Sequence, residues 1–172
     1  ERALFLLEDL LTEGRDAWLL LAGRWESEDY RRELRALMAR DIAGPGGRTL
    51  RLGDRVREAG PVPSLGSVFA AADLFVFPSR TEGFYPLVVM EAQQAGLPVL
   101  CTGAGGLGRI ILDGVTGSLA PTIPGPEGVE FPPDGRAAFA ARAGRLLDDP
   151  AAVAAVGRAG ARLVGYLTRR YP

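Results

Sequence analysis

The sequence predicts an α/β fold in which a parallel sheet is flanked by helices. The main observation is residues 74–102, where two short apolar runs are separated by a polar loop and a helical segment. Strands joined through a helix run parallel, so this stretch indicates a βαβ crossover. The composition agrees, because 47% hydrophobic and 24% charged residues in 172 are typical of a globular domain with a substantial core. We therefore predict a Rossmann-like sheet in a single domain.

Upstream of this crossover, helical and extended patterns alternate. Helices are predicted over residues 1–12, 28–41 and 65–72, the last capped by Ser64. Strands are predicted over residues 18–22, expected to be buried, and over residues 55–59, with a loop at 44–47 between them. Arg24 follows the first of these strands, where a base or phosphate contact can form, although from the residue alone a solvated arginine is the commoner case.

The crossover itself begins with a strand over residues 74–77. Residues 78–84 contain Pro, Ser, Thr and Gly, which predicts a loop. Pro86 suits the first turn of a helix that continues to Ala95, and Gly96 stands where a helix end favours a left-handed residue. Residues 97–102 form the second strand. Two carboxylates bracket the loop and helix, those of Glu82 and Glu91.

This arrangement suggests a ligand site. Ligands of open α/β sheets bind beyond the carboxyl ends of the strands, which is where Glu82 is expected. The start of the helix offers backbone N–H groups to an anion such as a diphosphate. Glu91 lies about one and a half turns into the helix, where it can accept two hydrogen bonds from a ribose diol. From the residues alone, two solvated surface glutamates remain the commoner arrangement.

Downstream, residues 117–133 are rich in proline and predict an exposed loop. Two alanine-rich helices follow over residues 134–147 and 150–166, with Asp149 as the cap of the second. Leu163, Leu167 and Tyr171 either pack onto a domain outside this chain or belong to a terminal helix on the sheet.

Five short motifs occur in order from the crossover onward. They are Glu82-Gly83-Phe84, Glu91-Ala92, Gly96-Leu97-Pro98-Val99, Gly105-Gly106 and Asp113-Gly114-Val115-Thr116-Gly117. This series resembles the donor-binding, C-terminal half of the family 4 glycosyltransferases, which are retaining enzymes of GT-B fold. Weaker likeness extends upstream through Asp54 and Gly60 and downstream to Pro150, so the resemblance covers nearly the whole chain.

The resemblance implies transfer of a sugar from a nucleoside diphosphate sugar, with no metal and no cofactor. Glu82 is implied as the catalytic residue, near the sugar hydroxyls and the developing oxocarbenium charge, and Glu91 as the ribose ligand. The other implied donor-binding residues are Gly83, Phe84, Tyr85, Pro86, Leu87, Gly105 and Gly106. Among these, the backbone N–H groups would meet the sugar or diphosphate, and the glycine pair would allow close approach of backbone to ligand.

The sequence departs from the family pattern at two positions. Eight residues, Gly83 to Met90, separate the two glutamates, where the family normally has seven. Residues 87–99 match without a gap, so we place the additional residue at Phe84 or Tyr85, which makes Glu82 the less secure assignment. Arg109 stands where the family often has glutamate.

Other family features are expected outside this chain. The sequence contains no lysine, and the basic pair that clamps the donor phosphates should lie partly before residue 1. The first strand of the domain and the N-terminal acceptor domain should also lie there. We therefore expect a truncated chain that is inactive alone and whose partner is that N-terminal domain. The acceptor is not identified, and a peripheral membrane contact through the missing domain stays open.

Two other functions remain open. Gly103, Gly105 and Gly108 fit the dinucleotide fingerprint of an NAD(P)-dependent oxidoreductase, but no acidic residue follows a second strand about twenty residues on. If the basic clamp has been lost, the chain is instead a non-catalytic nucleotide-binding interaction domain.

Composition excludes several further classes. A net charge of -1 gives no electrostatic case for nucleic acid binding. The absence of histidine excludes a Ser-His-Asp triad, and a single cysteine, Cys101, excludes a disulfide within the chain. The sequence shows no apolar run long enough to span a membrane and no signal peptide, so we expect a cytoplasmic protein.

Overall fold

The computed structural model describes residues 1–25 and 27–170. The chain divides into two compact units, Glu1–Leu65 and Gly66–Pro172. Both units combine helices with parallel strands, which confirms the predicted α/β class.

The first unit contains two helices and four strands. The helices are α1 (Arg2–Thr12) and α2 (Glu28–Met38), and the strands are β1 (Leu19–Ala22), β2 (Asp41–Ala43), β3 (Thr49–Arg51) and β4 (Val56–Gly60). β1 pairs parallel to β4, while β2 and β3 form an antiparallel hairpin around the 3-10 turn Pro45–Gly47. The core of this unit is formed where α1 packs on α2. It includes Leu4, Leu7, Leu11, Leu34 and Met38.

Two predictions for this unit were wrong in part. α2 ends at Met38, because Asp41 begins a strand that pairs with Arg51. β1 is not buried but alternates between half-buried and exposed residues. Trp18, just before it, is 53% exposed, and the guanidinium groups of Arg55 and Arg57 lie 4.9 and 4.5 Å from its ring centroid. These cation–π contacts explain how a tryptophan can remain partly in solvent.

The second unit carries the crossover. Its helices are α3 (Gly66–Ala70), α4 (Leu87–Gln94), α5 (Leu107–Ile110), α6 (Gly135–Asp148) and α7 (Pro150–Arg170). Its strands are β5 (Phe75–Phe77), β6 (Val99–Thr102), β7 (Ser118–Ala120), β8 (Ile123–Gly125) and β9 (Gly128–Glu130). β5, β6 and β7 form a parallel sheet with β6 at its centre, and β8 and β9 form an antiparallel hairpin. The predicted strand–loop–helix–strand unit is therefore confirmed.

Helix α4 is held on the sheet by α7. All four residues of β6 are buried, and α4 contributes Val89, Ala92 and Gln93 to the same core. On the other side of α4, glycines of α7 permit close contact: a Cβ added at Gly157 would lie 2.0 Å from the carbonyl oxygen of Gly96. Gly96 itself has φ +78°, the left-handed conformation predicted for this helix end. The orientation of α4 is thus fixed by backbone packing.

The region after Gly117 differs most from its prediction. Residues 117–133 were expected to form an exposed loop, but they contain β7 and the whole β8–β9 hairpin. The predicted cap of α7 is confirmed, since Asp149 Oδ1 accepts hydrogen bonds from the N–H groups of Ala151 and Ala152 at 3.0 and 2.9 Å. Leu163 and Leu167 are partly buried, and Tyr171 lies outside the described residues. No helix within residues 1–25 and 27–170 is long and apolar enough to cross a membrane.

Candidate functional site

The loop between β5 and α4 is held by its carbonyl oxygens. Four of them accept hydrogen bonds from neighbouring segments or from the loop itself. The bonds run from Thr102 Oγ1 to Ser79 O (2.5 Å), Val129 N to Arg80 O (2.8 Å), Ser79 Oγ to Thr81 O (2.6 Å) and Gly106 N to Gly83 O (3.0 Å). The main chain on either side of Glu82 is therefore fixed before any ligand is present.

The glycine turn after β6 forms one of these supports. A Cβ added at Gly105 would lie 2.1 Å from the carbonyl oxygen of Glu82, and one at Gly106 would lie 1.9 Å from that of Phe84. Gly105 also has φ +53°, a conformation that favours glycine. Both glycines were predicted to allow close approach of backbone to ligand. The close approach in this structure is made by the protein's own loop, and contact with a ligand stays a prediction.

Four backbone N–H groups at the end of this loop and the start of α4 have no acceptor among the described residues. Within the described residues, none of the N–H groups of Gly83, Phe84, Tyr85 and Leu87 donates a hydrogen bond. α4 begins directly afterwards, with Pro86 at its N-cap position and no acidic residue in its first turn. Open donors and the positive end of a helix dipole therefore occur together, which is the arrangement that binds anions.

Both predicted glutamates lie beside these donors in the sequence and also lack partners. Glu82 is half-buried in the loop, and Glu91 is exposed on α4. Neither carboxylate forms a hydrogen bond or an ion pair with a described residue. Glu91 lies one turn after Leu87 on the same face of α4, so its side chain leans toward the helix start. The two carboxylates are thus available to hydroxyl groups of a ligand.

Cys101 is a buried residue of β6, the strand that precedes the glycine turn. Burial and, secondarily, the charge of Glu82 raise the pKa of the Cys101 thiol. The thiol therefore stays protonated at neutral pH, as a small core residue would.

An exposed aromatic pair borders the loop. Phe84 and Tyr85 are 56% and 53% exposed, and their ring centroids lie 5.3 Å apart in an edge-to-face arrangement. The guanidinium of Arg109 lies 4.3 Å from the Phe84 ring centroid, so the residue that departs from the family pattern packs directly on the loop. α4 runs without interruption from Leu87 to Gln94, and the loop before it can contain the additional residue predicted at Phe84 or Tyr85.

The remaining candidates are Arg24 and the glycine pattern of the dinucleotide fingerprint. Arg24 is exposed after β1 in the first unit, and its role stays a prediction. The Gly103, Gly105 and Gly108 turn leads into α5, which has only four residues. Within the described part of the chain, no three His, Cys, Asp or Glu side chains are grouped as a metal ion would require.

The β8–β9 hairpin is the part of the site that the sequence prediction missed. Its second strand donates the hydrogen bond to Arg80 O and lies against the loop that carries Glu82. A signal for it was present, because residues 125–128 read Gly-Pro-Glu-Gly between Ile123 and Val129, which is typical of a hairpin turn. Proline abundance in the surrounding residues obscured that signal.

Comparison with known proteins identifies the family. The model of the family glycosyl transferases group 1 matches residues 3–149. The chain belongs to this family. Among curated relatives, the D-inositol 3-phosphate glycosyltransferase of Streptomyces avermitilis is 39% identical over 150 residues, covering 78% of this chain and 30% of that protein.

Solved glycosyltransferase structures share the fold. Sucrose-phosphate synthase from Thermosynechococcus elongatus has a TM-score of 0.74 at 27% identity, covering 96% of this chain and 38% of that chain. Anabaena HepE in complex with UDP-glucose has a TM-score of 0.73 at 22% identity, covering 94% of this chain and 40% of that chain. These likenesses confirm the predicted GT-B fold. The chain spans less than half the length of each protein named here.

Proposed function

We propose that the second unit binds a nucleoside diphosphate sugar, and that the protein containing it transfers the sugar to an acceptor with retention of configuration. One observation carries this proposal: open N–H donors at the start of α4 lie in the sequence between two carboxylates that have no partner within residues 1–25 and 27–170. The donors suit a diphosphate, and the carboxylates suit hydroxyl groups at either end of it. A nucleoside diphosphate sugar has this order of groups, with a ribose on one side and a sugar on the other.

Each residue then has a distinct role in donor binding. The N–H groups of Gly83, Phe84, Tyr85 and Leu87 meet the diphosphate or the sugar, and the dipole of α4 stabilises the negative charge that grows on the leaving diphosphate. Glu91 accepts two hydrogen bonds from the ribose diol. Glu82 accepts hydrogen bonds from the sugar and stabilises positive charge that develops at the anomeric carbon.

The backbone donors supply positive charge without a metal, so the proposal includes no metal and no further cofactor. A second domain would supply the acceptor, and a cytoplasmic location with membrane contact through that domain belongs to the same proposal. Because relatives are named D-inositol 3-phosphate glycosyltransferases, a phosphorylated polyol is the first acceptor to assay.

Calorimetric titration against UDP, GDP, ADP and NAD tests the class of ligand. Saturable binding of one or more nucleoside diphosphates, without binding of NAD, is the expected result. Binding of NAD alone would instead indicate the oxidoreductase alternative. A transfer assay on the protein with its acceptor domain then separates an enzyme from a non-catalytic nucleotide-binding domain.

The role of Glu91 has its own test. Glu91→Gln should weaken binding of the preferred nucleoside diphosphate by about tenfold, because a charge-assisted bidentate contact is lost. Binding of the 2′,3′-dideoxy analogue, which has no diol, should change by less than about twofold on the same reasoning. Equal losses for the two ligands would show that Glu91 does not contact the ribose.

A further inference from the structure

The β8–β9 hairpin has no part in the function proposed above, yet it lies directly on the loop that carries Glu82. It falls within residues 117–133, where the sequence predicted an exposed loop. A hairpin packed beside a candidate site raises the question of what it holds in place.

The first contact is between main chains. Val129 N donates to the carbonyl oxygen of Arg80 at 2.8 Å. At the preceding residue, Gly128, φ is +113°, and an added Cβ would lie 2.2 Å from the same oxygen and 2.6 Å from Thr81 Cγ2. The hairpin therefore approaches the loop so closely that no side chain fits between them.

The second contact is ionic. Arg80 Nη1 lies 2.9 Å from Glu130 Oε1 and 3.8 Å from Glu127 Oε2, and the Arg80 and Glu130 side chains are 39% and 31% exposed. Arg80 is only two residues before Glu82, so an arginine released from the hairpin would be within reach of that carboxylate and would neutralise it. The pairing with Glu130 keeps the guanidinium directed to the hairpin.

The hairpin is itself anchored. β8 and β9 pair along their length, and the segment that follows β9 packs on α6, where the ring centroids of Phe131 and Phe139 lie 5.3 Å apart. Phe139 is a fully buried core residue. The contacts to Arg80 and Thr81 therefore come from a support fixed to the core of the unit.

We propose that the β8–β9 hairpin positions Glu82 for contact with the sugar of the donor. Gly128, Val129 and Glu130 are positioning residues that act through Arg80 and Thr81, and none of them needs to touch the ligand. The inference rests on the proposed function, because it assumes that Glu82 faces a bound sugar. It predicts that substitutions in the hairpin weaken binding of the nucleotide sugar and leave binding of the nucleotide alone unchanged.

The test compares UDP with UDP-glucose by calorimetry on Glu130→Ala. Its matched control is Glu127→Ala, which removes a more exposed carboxylate of the same hairpin at a longer distance from Arg80. Glu130→Ala should raise the Kd for UDP-glucose by about fivefold and leave the Kd for UDP within about twofold, while the control changes neither. Thermal melts of both variants check that the fold is intact.

Two further variants make the inference sharper. In the double variant Arg80→Ala/Glu130→Ala, the loss of sugar affinity should be smaller than the sum of the losses in the two single variants, because the two residues share a contact. Gly128→Ala should reproduce the loss by displacing the strand. Gly14→Ala, at another positive φ (+87°) with no neighbour within 4 Å of the added Cβ, controls for backbone strain.

The outcomes separate the two proposals. A wild-type chain that binds no nucleoside diphosphate and no nucleotide sugar would contradict the proposed function and this inference with it. Normal wild-type binding, with Glu130→Ala and Gly128→Ala leaving the UDP-glucose affinity unchanged, would overturn the inference alone. An equal loss for UDP and UDP-glucose would also overturn it.

Discussion

Glu58 in the first unit and two glutamates in the second unit differ in their partners. In the first unit, the Glu58 carboxylate of β4 accepts a hydrogen bond from Trp25 Nε1 at 3.2 Å and pairs with Arg31 and Arg35 at 3.3 and 3.6 Å. In the second unit, Glu82 and Glu91 have no partner among the described residues. The difference teaches that Glu58 stabilises its own unit, whereas no contact within the described residues accounts for Glu82 and Glu91.

Within the second unit, the carbonyl oxygens and the N–H groups of one loop also differ in whether they have partners. The loop after β5 uses its carbonyl oxygens for support and leaves several of its N–H groups open. Under the proposed function, a loop fixed through its carbonyl oxygens and open through its N–H groups would bind an anion with little reorganisation. The glycines at 105 and 106 make this possible by letting two main chains come into contact.

Breaking that contact should have the largest effect on stability. Gly106→Ala places a Cβ 1.9 Å from the Phe84 carbonyl oxygen. We expect a loss of about 2 kcal/mol or more in the free energy of unfolding, as for an overpacked core, together with loss of nucleotide binding. Denaturant unfolding measures the change.

Gly108→Ala is the matched control for this variant, since nothing lies within 4 Å of its added Cβ. It should be neutral or slightly stabilising in the helix. If Gly106→Ala were as stable as Gly108→Ala and still bound nucleotide, the loop would not depend on this packing.

The difference between Glu58 and Glu91 predicts a moderate effect on the free energy of unfolding. Glu58→Ala should lower the free energy of unfolding by about 1 kcal/mol, because it removes one acceptor from an indole and two arginines. Glu91→Ala should change it by less than about 0.5 kcal/mol, as expected for an exposed residue without partners. Thermal melts of the two variants measure these changes in stability. A larger loss of stability for Glu91→Ala than for Glu58→Ala would contradict the division between structural and ligand-binding acids.

Deletion of Tyr85 is expected to cause only a small loss of stability. If the additional residue is a local bulge in the loop, the deletion keeps Leu87, Val88 and Met90 among the same neighbours and costs no more than about 1 kcal/mol. If the residue is instead taken up within α4, the deletion rotates one side of the helix by about 100° and exposes core side chains. A collapsed melting transition, with nucleotide binding lost, would refute the loop placement.

These particulars show how much of the fold and site was predictable from the sequence. The crossover, the start of α4 and the left-handed Gly96 were predicted because local patterns and turn chemistry determine them. The packing of Gly105 on Glu82 was not predicted. Close approach of a ligand and close approach of another main chain both require glycine, so the sequence does not distinguish them. Only the structure shows which of the two occupies the space.

The β8–β9 hairpin illustrates a different limit. Its contact with Arg80 joins residues that are far apart in the sequence, and neither segment alone indicates its partner. The same holds for α7, whose glycine positions became meaningful only when Gly157 was found against Gly96. Long-range packing of this kind determines how Glu82 is held. The hydrophobic periodicity of the sequence does not indicate such contacts.

The central claim is that the open N–H groups before α4 bind a diphosphate between two carboxylates. A nuclear magnetic resonance titration of the ¹⁵N-labelled chain with the nucleoside diphosphate that binds in calorimetry tests it most directly. The account predicts that the amide signals of Gly83, Phe84, Tyr85 and Leu87 shift most, and that Glu91→Gln reduces the shifts at a given ligand concentration. Saturable binding that leaves these four amides unmoved would contradict the account.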